Sequence, residues 1–302
     1  MSKIAILMST YNGERYIVEQ IESILSQNCE MEMDLLVRDD GSTDGTIDVL
    51  NRYQAEGKLK WYSGDNLKPA KSFLDLMFKA KDYDFYSFAD QDDYWHPDKL
   101  QRGIDAIKDI RYEAMYFSNA MLVDENRNSM GRNVYQHKIN DDFYSLVISG
   151  GVLGCTIIFN SHLWKRICEA GIPDKVVMHD WYTSIVCSCF DGEIIYDEEA
   201  TMEYRQHGNN VIGAQGSKLG ALKNRVRRIF KKAPVSVSVQ AQSILNLYGD
   251  RIEDEKKAWL IRVSEYKKNI RKTWGMAFSR KPKYNSRNMA ITVRMSLLMR
   301  KH

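Results

Sequence analysis

Short apolar runs alternate with amphipathic stretches along the first 110 residues of the chain. Runs rich in β-branched and aromatic residues predict strands, and stretches with apolar positions three or four apart predict helices. The predicted strands cover residues 3–10, 34–40, 59–62 and 83–90. The predicted helices cover residues 14–27, 44–56, 68–79 and 97–110.

This alternation predicts an α/β fold with a mostly parallel, Rossmann-like sheet and helices on both faces. Such sheets bind ligands beyond the carboxyl ends of their strands. The pattern is less regular after residue 110, where it predicts strands at 115–123 and 155–159, a helix at 180–189, and two short strands at 193–196 and 201–204.

Three polar clusters directly follow predicted strands, at residues 9–13, 39–46 and 90–93. Because the strands are expected to be parallel neighbours, the clusters should meet at one edge of the sheet. We therefore expect the chemistry of the protein at that edge.

The composition is that of a folded chain of one large or two ordinary domains, with 302 residues, 44% hydrophobic and 27% charged. Aliphatic residues dominate no 18-residue stretch, which excludes a polytopic membrane protein. The apolar run near the start is too short for a signal peptide, so we expect a cytoplasmic protein. The five cysteines form no metal-binding spacing, and we expect them to be reduced packing residues.

Charge divides the chain into two parts. Residues 1–215 carry a net charge of −14, whereas residues 216–302 carry +17. We place a domain junction in the Gly/Ser/Lys-rich segment 213–220, between a body with halves at about 1–110 and 111–215 and a basic extension at 216–302. Such a basic block predicts contacts with phosphates, acidic lipid headgroups or nucleic acid.

The acidic cluster after the fourth strand contains Asp90, Asp92 and Asp93. Carboxylates of this kind, together with substrate phosphates, are the usual ligands of Mg²⁺ or Mn²⁺. A solvated acidic turn that caps the helix near Pro97 is the alternative interpretation. The cluster around Asp39 and Asp40 similarly fits either a nucleotide site or an ordinary strand-to-helix turn, and the chain has neither a P-loop nor a G-x-G-x-x-G motif.

Taken together, S-T-Y-N-G at 9–13, D-D-G-S-T-D at 39–44 and D-Q-D at 90–92 resemble family 2 glycosyltransferases of the GT-A fold. The resemblance covers about the first 215 residues. The segments D-Q-D-D-Y-W at 90–95, M-H-D-W at 178–181 and Y-R-Q-H-G-N-N-V at 204–211 resemble bacterial rhamnosyltransferases that build cell wall and capsule, including the streptococcal rhamnan type.

The resemblance implies roles for individual residues. It assigns Asp180 as the catalytic base, although the family more often has Glu-Asp where this chain has His179-Asp180. It assigns Asp92 and His207 to a Mg²⁺ or Mn²⁺ ion that bridges the donor diphosphate. Residues that it places around the nucleotide sugar are Thr10, Tyr11, Asn12, Asp39, Asp40, Asp90, Gln91, Trp181 and Arg205.

The resemblance also implies an inverting transfer of a sugar from a nucleotide diphosphate. The rhamnosyl subgroup implies dTDP-L-rhamnose as donor and a glycan or a polyprenyl-diphosphate-linked glycan as acceptor. Transfer of another hexose, such as galactose or glucose, remains the alternative.

In the basic extension, apolar residues recur at helical spacing from Trp259 to Trp274, surrounded by lysines and arginines. This stripe predicts a helix that lies on an anionic membrane surface, at the inner face of the cell membrane. A helical hairpin that packs on the body or on a second subunit is the alternative.

Two further function classes compete with the transferase. A non-catalytic basic adaptor would bind nucleic acid through residues 216–302, but the extension has no known nucleic-acid motif, and we expect no nucleic-acid partner. A nucleotidyltransferase would need a Gly-rich basic loop after the first strand, and residues 9–13 contain no basic residue.

Overall fold

The computed structural model describes residues 2–137, 139–150, 152–207 and 235–302. Strands of the described part are β1 Lys3–Thr10, β2 Glu32–Asp39, β3 Lys60–Ser63, β4 Phe85–Ala89, β5 Tyr94–Trp95, β6 Ala114–Val123, β7 Ser129–Asn133, β8 Ile157–Asn160 and β9 Glu193–Arg205. Helices of the body are α1 Ile17–Leu25, α2 Thr46–Ala55, α3 Lys68–Lys79, α4 Lys99–Ile107, α5 Phe143–Ser149, α6 Ser161–Ala170 and α7 His179–Cys189. Helices of the basic extension are α8 Val237–Tyr248, α9 Asp254–Glu265, α10 Ile270–Ala277 and α11 Arg287–Leu298.

The strands form one twisted sheet in the order β3-β2-β1-β4-β8-β6-β9-β5, and β7 pairs with β6. The pairs among β1 to β4 are all parallel. Beyond β4 the sheet is mixed, because β8 runs antiparallel to both β4 and β6, whereas β9 runs parallel to β6. The predicted mostly parallel α/β sheet is confirmed, with a mixed half that the helix and strand pattern did not reveal.

Strand β1 lies in the interior of the sheet, between β2 and β4, and its apolar side chains are buried on both faces of the sheet. Ile4, Ile6 and Met8 face one core, which includes apolar residues of α1, α2 and α4. Ala5 and Leu7 face the other core, which includes residues of α3, α6 and α7. Alternate side chains of a strand point to opposite faces, so a continuous apolar run is what a buried parallel strand requires.

Most predicted elements match the structure within a few residues, and β1 and α3 have the predicted bounds. One difference is β9, a single strand of 13 residues where two short strands were predicted. The pairing register between β9 and β6 shifts between Ser118 and Met121 of β6. This irregularity interrupts the regular pairing of the two strands but does not end β9.

The basic extension packs on the body. Trp259, Val263 and Tyr266 are buried in the same core as α3 and α7. The hydroxyl groups of Tyr182 and Tyr248 lie 3.0 Å apart. Full burial of a large apolar side chain contributes roughly 2 kcal/mol, so these contacts fix the extension firmly in place. The predicted junction at 213–220 lies outside the described residues.

The single membrane-surface helix predicted from the apolar stripe is wrong. Helix α9 ends at Glu265, and α10 begins at Ile270 because the Asn269 side chain caps it by accepting a hydrogen bond from Lys272 N. The first three apolar positions of the stripe are buried in the core, whereas Ile270 and Trp274 are exposed. The stripe therefore belongs to two helices with different environments, as the packed-hairpin alternative requires.

Within the described ranges, no helix combines the length and the apolar character that crossing a membrane requires. All five cysteines are free thiols, and Cys155, Cys187 and Cys189 are buried.

Candidate active site

The three polar clusters meet at one edge of the sheet. Strands β2, β1 and β4 are parallel neighbours, and Thr10 of β1 pairs with Asp39 of β2. The backbone N–H of Asp40 donates to Thr10 O at 2.9 Å. The convergence expected from the strand pattern is therefore present in the structure.

Gln91 joins the first cluster to the third. Its Oε1 atom accepts hydrogen bonds from Thr10 Oγ1 at 2.6 Å and from Tyr11 N at 2.9 Å. Its Nε2 atom donates to Tyr11 O at 3.2 Å. A Cβ atom at position 13 would lie 2.3 Å from Gln91 Oε1, so this close approach requires Gly13. The Tyr11 ring itself is exposed, where it is free to stack on a base.

The side chains of Asn12 and Asp39 hold the turns of the site together. Asn12 has φ 50°, and its Oδ1 atom accepts from Thr43 N at 2.8 Å. Asp39 accepts from the backbone N–H groups of Gly41 and Ser42, each at 2.9 Å. In the structure, these side-chain oxygens stabilise the turns of the loop, and the contacts of both residues with the nucleotide-sugar donor stay predictions.

Asp40 forms a buried ion pair with Arg38. The Arg38 guanidinium also donates to Asp75 Oδ2 at 3.0 Å and to Asp65 O at 2.9 Å. Burial of a charged carboxylate is unfavourable unless a cation pairs with it. The ion pair with Arg38 therefore compensates for the burial of Asp40. No motif in the sequence pointed to Arg38, which lies on β2 two residues before Asp40.

Asp92 and His207 face each other at the rim of the site. Asp92 Oδ2 lies 2.7 Å from His207 Nε2, and both side chains are partly exposed. The Tyr16 ring stacks on the His207 ring with centroids 5.2 Å apart. The carboxylate oxygen and the imidazole nitrogen are both held in position and partly open to solvent. As metal ligands, this pair of atoms suits Mn²⁺ and can also bind Mg²⁺.

Arg205 is buried below this pair. Its Nε atom donates to Asp92 O at 2.8 Å, and one terminal nitrogen donates to Glu125 O at 2.6 Å. It also pairs with Glu19. These hydrogen bonds hold the backbone of the Asp92 loop, and the contact of Arg205 with the sugar donor stays a prediction.

Asp180 approaches the same edge from the first turn of α7. Its Oδ1 atom accepts from Trp181 N at 2.6 Å, and a Cβ atom at position 154 would lie 3.2 Å from its Oδ2 atom. The Trp181 indole is fixed in turn, because Nε1 donates to Leu146 O at 2.6 Å. The carboxylate therefore has a fixed orientation, and Gly154 is needed for the backbone to pass so close to it.

The pKa shifts show that Asp180 and the acidic cluster share one electrostatic environment. Burial, followed by the charges of Asp92 and Asp180, raises the pKa of Asp90 to about 7. Burial raises the pKa of Asp180 to about 6, and hydrogen bonds from Trp181 and Gly154 oppose the rise. A buried carboxylate with a pKa close to neutral is suited to accept a proton from a hydroxyl group.

His179, next to Asp180, is packed into the core. Its ring stacks on Phe73 with centroids 3.9 Å apart and meets Phe88 edge-on at 4.6 Å. Burial lowers the pKa of His179 to about 3, so the ring is neutral. These contacts make His179 a rigid support for the first turn of α7.

A buried group of polar side chains next to Asp90 was not apparent from the sequence. Side-chain ligand atoms of Asp90, Asp93 and Cys155 all lie within 4.8 Å of one another. The Lys99 ammonium lies 4.0 Å from the centroid of the Trp95 ring, and burial lowers its pKa to about 7. The position of Asp93 in an acidic run was visible in the sequence, but the packing of Lys99 and Cys155 against it was not.

Comparison with known proteins agrees with this geometry. The family described as "Glycosyl transferase family 2" matches residues 5–167, which is more than half of the chain. The dTDP-rhamnosyl transferase RfbG of Shigella flexneri is 28% identical over 243 residues, covering 72% of this chain and 80% of the relative.

Two solved structures share the fold. TarS 1–349 of S. aureus in complex with UDP-GlcNAc has a TM-score of 0.57 at 16% identity, and the match covers 98% of this chain and 90% of TarS. The mannosyltransferase PcManGT of Pyrobaculum calidifontis, in complex with GDP-Man and Mn²⁺, has a TM-score of 0.54 at 14% identity, covering 97% and 73% of the two chains.

These matches favour the transferase over the nucleic-acid adaptor and the nucleotidyltransferase. The residues matched by the family include all three polar clusters that the sheet brings together. The chain belongs to glycosyltransferase family 2 and has the GT-A fold.

Proposed function

We propose that the protein is an inverting, metal-dependent rhamnosyltransferase that moves L-rhamnose from dTDP-L-rhamnose to a glycan or polyprenyl-diphosphate-linked acceptor of the cell wall or capsule. The observation that carries the inverting mechanism is the Asp180 carboxylate, which is buried, accepts a hydrogen bond from Trp181 N and is close enough to raise the pKa of Asp90. The rhamnosyl relative supports the choice of sugar.

The donor lies over the carboxyl ends of β1, β2 and β4 in this proposal. Tyr11 stacks on the thymine, and Asp40 with Thr10 forms the floor of the nucleoside pocket. Asp90 lies near the ribose. Gln91, Asn12 and Asp39 hold the loops that shape this pocket, and Arg205 holds the backbone of Asp92.

Asp92 and His207 would hold the divalent ion, which when bound neutralises charge on the departing nucleoside diphosphate. On the other side of the sugar, Asp180 accepts the proton of the acceptor hydroxyl while its oxygen bonds to the anomeric carbon. The bond between the anomeric carbon and the diphosphate oxygen breaks at the same time. A single displacement inverts the configuration, so a β-linked donor yields an α-L-rhamnoside.

Incubation with a panel of nucleotide sugars tests the proposal directly. With Mn²⁺ or Mg²⁺ present, we expect release of nucleoside diphosphate from dTDP-L-rhamnose when a polyprenyl-diphosphate-linked glycan is added. Turnover of a galactose or glucose donor instead would support the other-hexose alternative and contradict the rhamnosyl assignment. Lack of turnover with every donor and acceptor would contradict the transferase mechanism.

The rate of transfer should depend on the protonation of Asp180. Because burial raises its pKa to about 6, the carboxylate is charged and able to accept a proton above that pH and is protonated below it. We expect kcat at saturating donor to fall about tenfold for each pH unit below about 6. A pH–rate profile measures this, and a rate that stays constant down to pH 4.5 would contradict the assignment.

The proposed place of action is the cytoplasmic face of the cell membrane, where a lipid-linked acceptor is exposed. The basic extension at 216–302 would bring the enzyme to that surface. The first part of the extension, up to residue 234, lies outside the described residues, so this placement is proposed from the described helices α8 to α11.

A further inference from the structure

Helices α10 and α11 carry large apolar side chains that point away from the core. Ile270, Trp274 and Phe278 are 60%, 54% and 54% exposed. They are spaced four residues apart, so they lie on one face of α10 and its C-terminal cap. The rings of Trp274 and Phe278 stack with centroids 5.4 Å apart. Helix α11, which packs on α10, exposes Ile291 and Met295.

These residues are exposed although both helices are properly packed. On α10, Thr273, Met276 and Ala277 are buried, and on α11 the buried residues include Val293 and Leu297. Each helix therefore uses one side for the core and presents a second apolar side outward. Large apolar side chains that are exposed together on neighbouring helices mark an interaction site.

The segment that carries these apolar residues is strongly basic. Residues 266–302 contain 11 lysines and arginines and no aspartate or glutamate. Three of the cations are paired with acidic residues outside this segment, because Lys268 and Lys272 contact Glu265 and Lys281 contacts Glu255. Among the described residues, Arg271, Arg280 and Arg287 form no ion pair with any acidic group.

We propose that α10 and α11, with the exposed Ile270, Trp274, Phe278, Ile291 and Met295 and the exposed Arg271, Arg280 and Arg287 of the same segment, form a docking surface for the anionic headgroups and upper acyl region of a lipid bilayer. The inference deepens the proposed membrane location, on which it rests, by assigning it to one face of the extension. An α-helix of eight residues is about 12 Å long, which suits a position in the plane of the interface.

The combination of side chains favours this partner over two others. Nucleic acid would pair with the arginines but would leave Ile270, Ile291 and Met295 in water. A second copy of the chain would cover the apolar residues but would bring two basic segments of like charge together. A bilayer with anionic lipids accepts the aromatic and aliphatic side chains and neutralises the arginines at the same time.

Vesicle binding of the full chain tests the proposal. The probes are vesicles of phosphatidylcholine with about one-third phosphatidylglycerol and vesicles of phosphatidylcholine alone, mixed with protein and separated by sedimentation. We expect the protein to bind the anionic vesicles and to stay in solution with the neutral ones. The variant Arg271→Glu/Arg280→Glu should bind the anionic vesicles at least about 20-fold more weakly, from roughly fivefold for each lost arginine.

The apolar contribution is tested by Trp274→Ser/Phe278→Ser, for which we expect at least about tenfold weaker binding. Both side chains are exposed, so the substitutions remove no core contact. The matched apolar control is Ile172→Ser/Met130→Ser, at exposed positions of the body. The matched charge control is Arg111→Glu/Lys165→Glu, which changes the net charge by the same amount at exposed positions.

Binding that survives both α10 variants would overturn the proposal. So would equal losses in the control variants, equal binding to the neutral vesicles, or a dimer in solution that the α10 variants dissociate. The experiment needs no donor or acceptor, so it also separates this inference from the proposed reaction. Vesicle binding without sugar transfer contradicts only the transferase mechanism, and transfer without vesicle binding contradicts only the docking surface.

Discussion

Replacing Asp180 by asparagine should lower kcat by roughly two to four orders of magnitude, which is the usual contribution of a general base. Asparagine has the same shape and keeps an oxygen that can accept the hydrogen bond from Trp181 N, so the first turn of α7 should be preserved. An amide cannot take up the proton of the acceptor hydroxyl. The rate of nucleoside diphosphate release at saturating donor and acceptor measures the loss.

Donor binding provides the internal comparison for this variant. Because the proposed role of Asp180 is on the acceptor side of the sugar, Asp180→Asn should change the donor dissociation constant by less than about threefold. Asp174→Asn, an exposed aspartate, is the matched control and should have the wild-type rate. A variant at position 180 that transfers sugar at the wild-type rate would show that the base is another residue.

Replacing Asp92 by asparagine should remove the metal dependence of donor binding. The substitution exchanges a charged oxygen ligand for a neutral amide and removes the negative charge that lies 2.7 Å from His207 Nε2. Loss of a group that only orients a metal ligand already costs about 10- to 100-fold in metal affinity, so loss of a ligand should cost at least that much. Titration of the donor with and without Mn²⁺, followed by calorimetry, measures the effect.

The exposed Asp109, replaced by asparagine, serves as the control for Asp92. In wild type and control, we expect Mn²⁺ to tighten donor binding, whereas in Asp92→Asn the two titrations should coincide. If Mn²⁺ tightens donor binding equally in the Asp92 variant, then the metal is held elsewhere, and the acidic turn after β4 has a structural role.

Much of the fold and the outline of the site could be predicted from local sequence patterns. The apolar runs fixed the positions of β1, β2 and β4, and the polar residues that follow them had to meet because parallel neighbours end at one edge. Asp90 and Asp92 were predicted as site residues in this way, whereas Asp180 was predicted only from the motif resemblance. These predictions depended on spacing along the chain, which a sequence displays directly.

What the sequence did not reveal depends on contacts between distant segments. The hydrogen bonds of Arg205 to Asp92 O and Glu125 O, for example, form only because β9 passes beside the Asp92 loop, and no sequence pattern indicated them. The stripe from Trp259 to Trp274 looked like one amphipathic surface, yet the body covers its first half. Helical periodicity shows which residues share a face, and it does not show what that face touches.

In the proposed donor site, Gln91 would link recognition of the nucleoside to recognition of the ion. Gln91 lies between Asp90 and Asp92 in the chain, and its side chain forms hydrogen bonds with the hydroxyl of Thr10 and the backbone of Tyr11. Any shift of the acidic loop is therefore passed to the tyrosine on which the base would stack. The parts of the site that would bind the base and the diphosphate of the donor are therefore joined by hydrogen bonds.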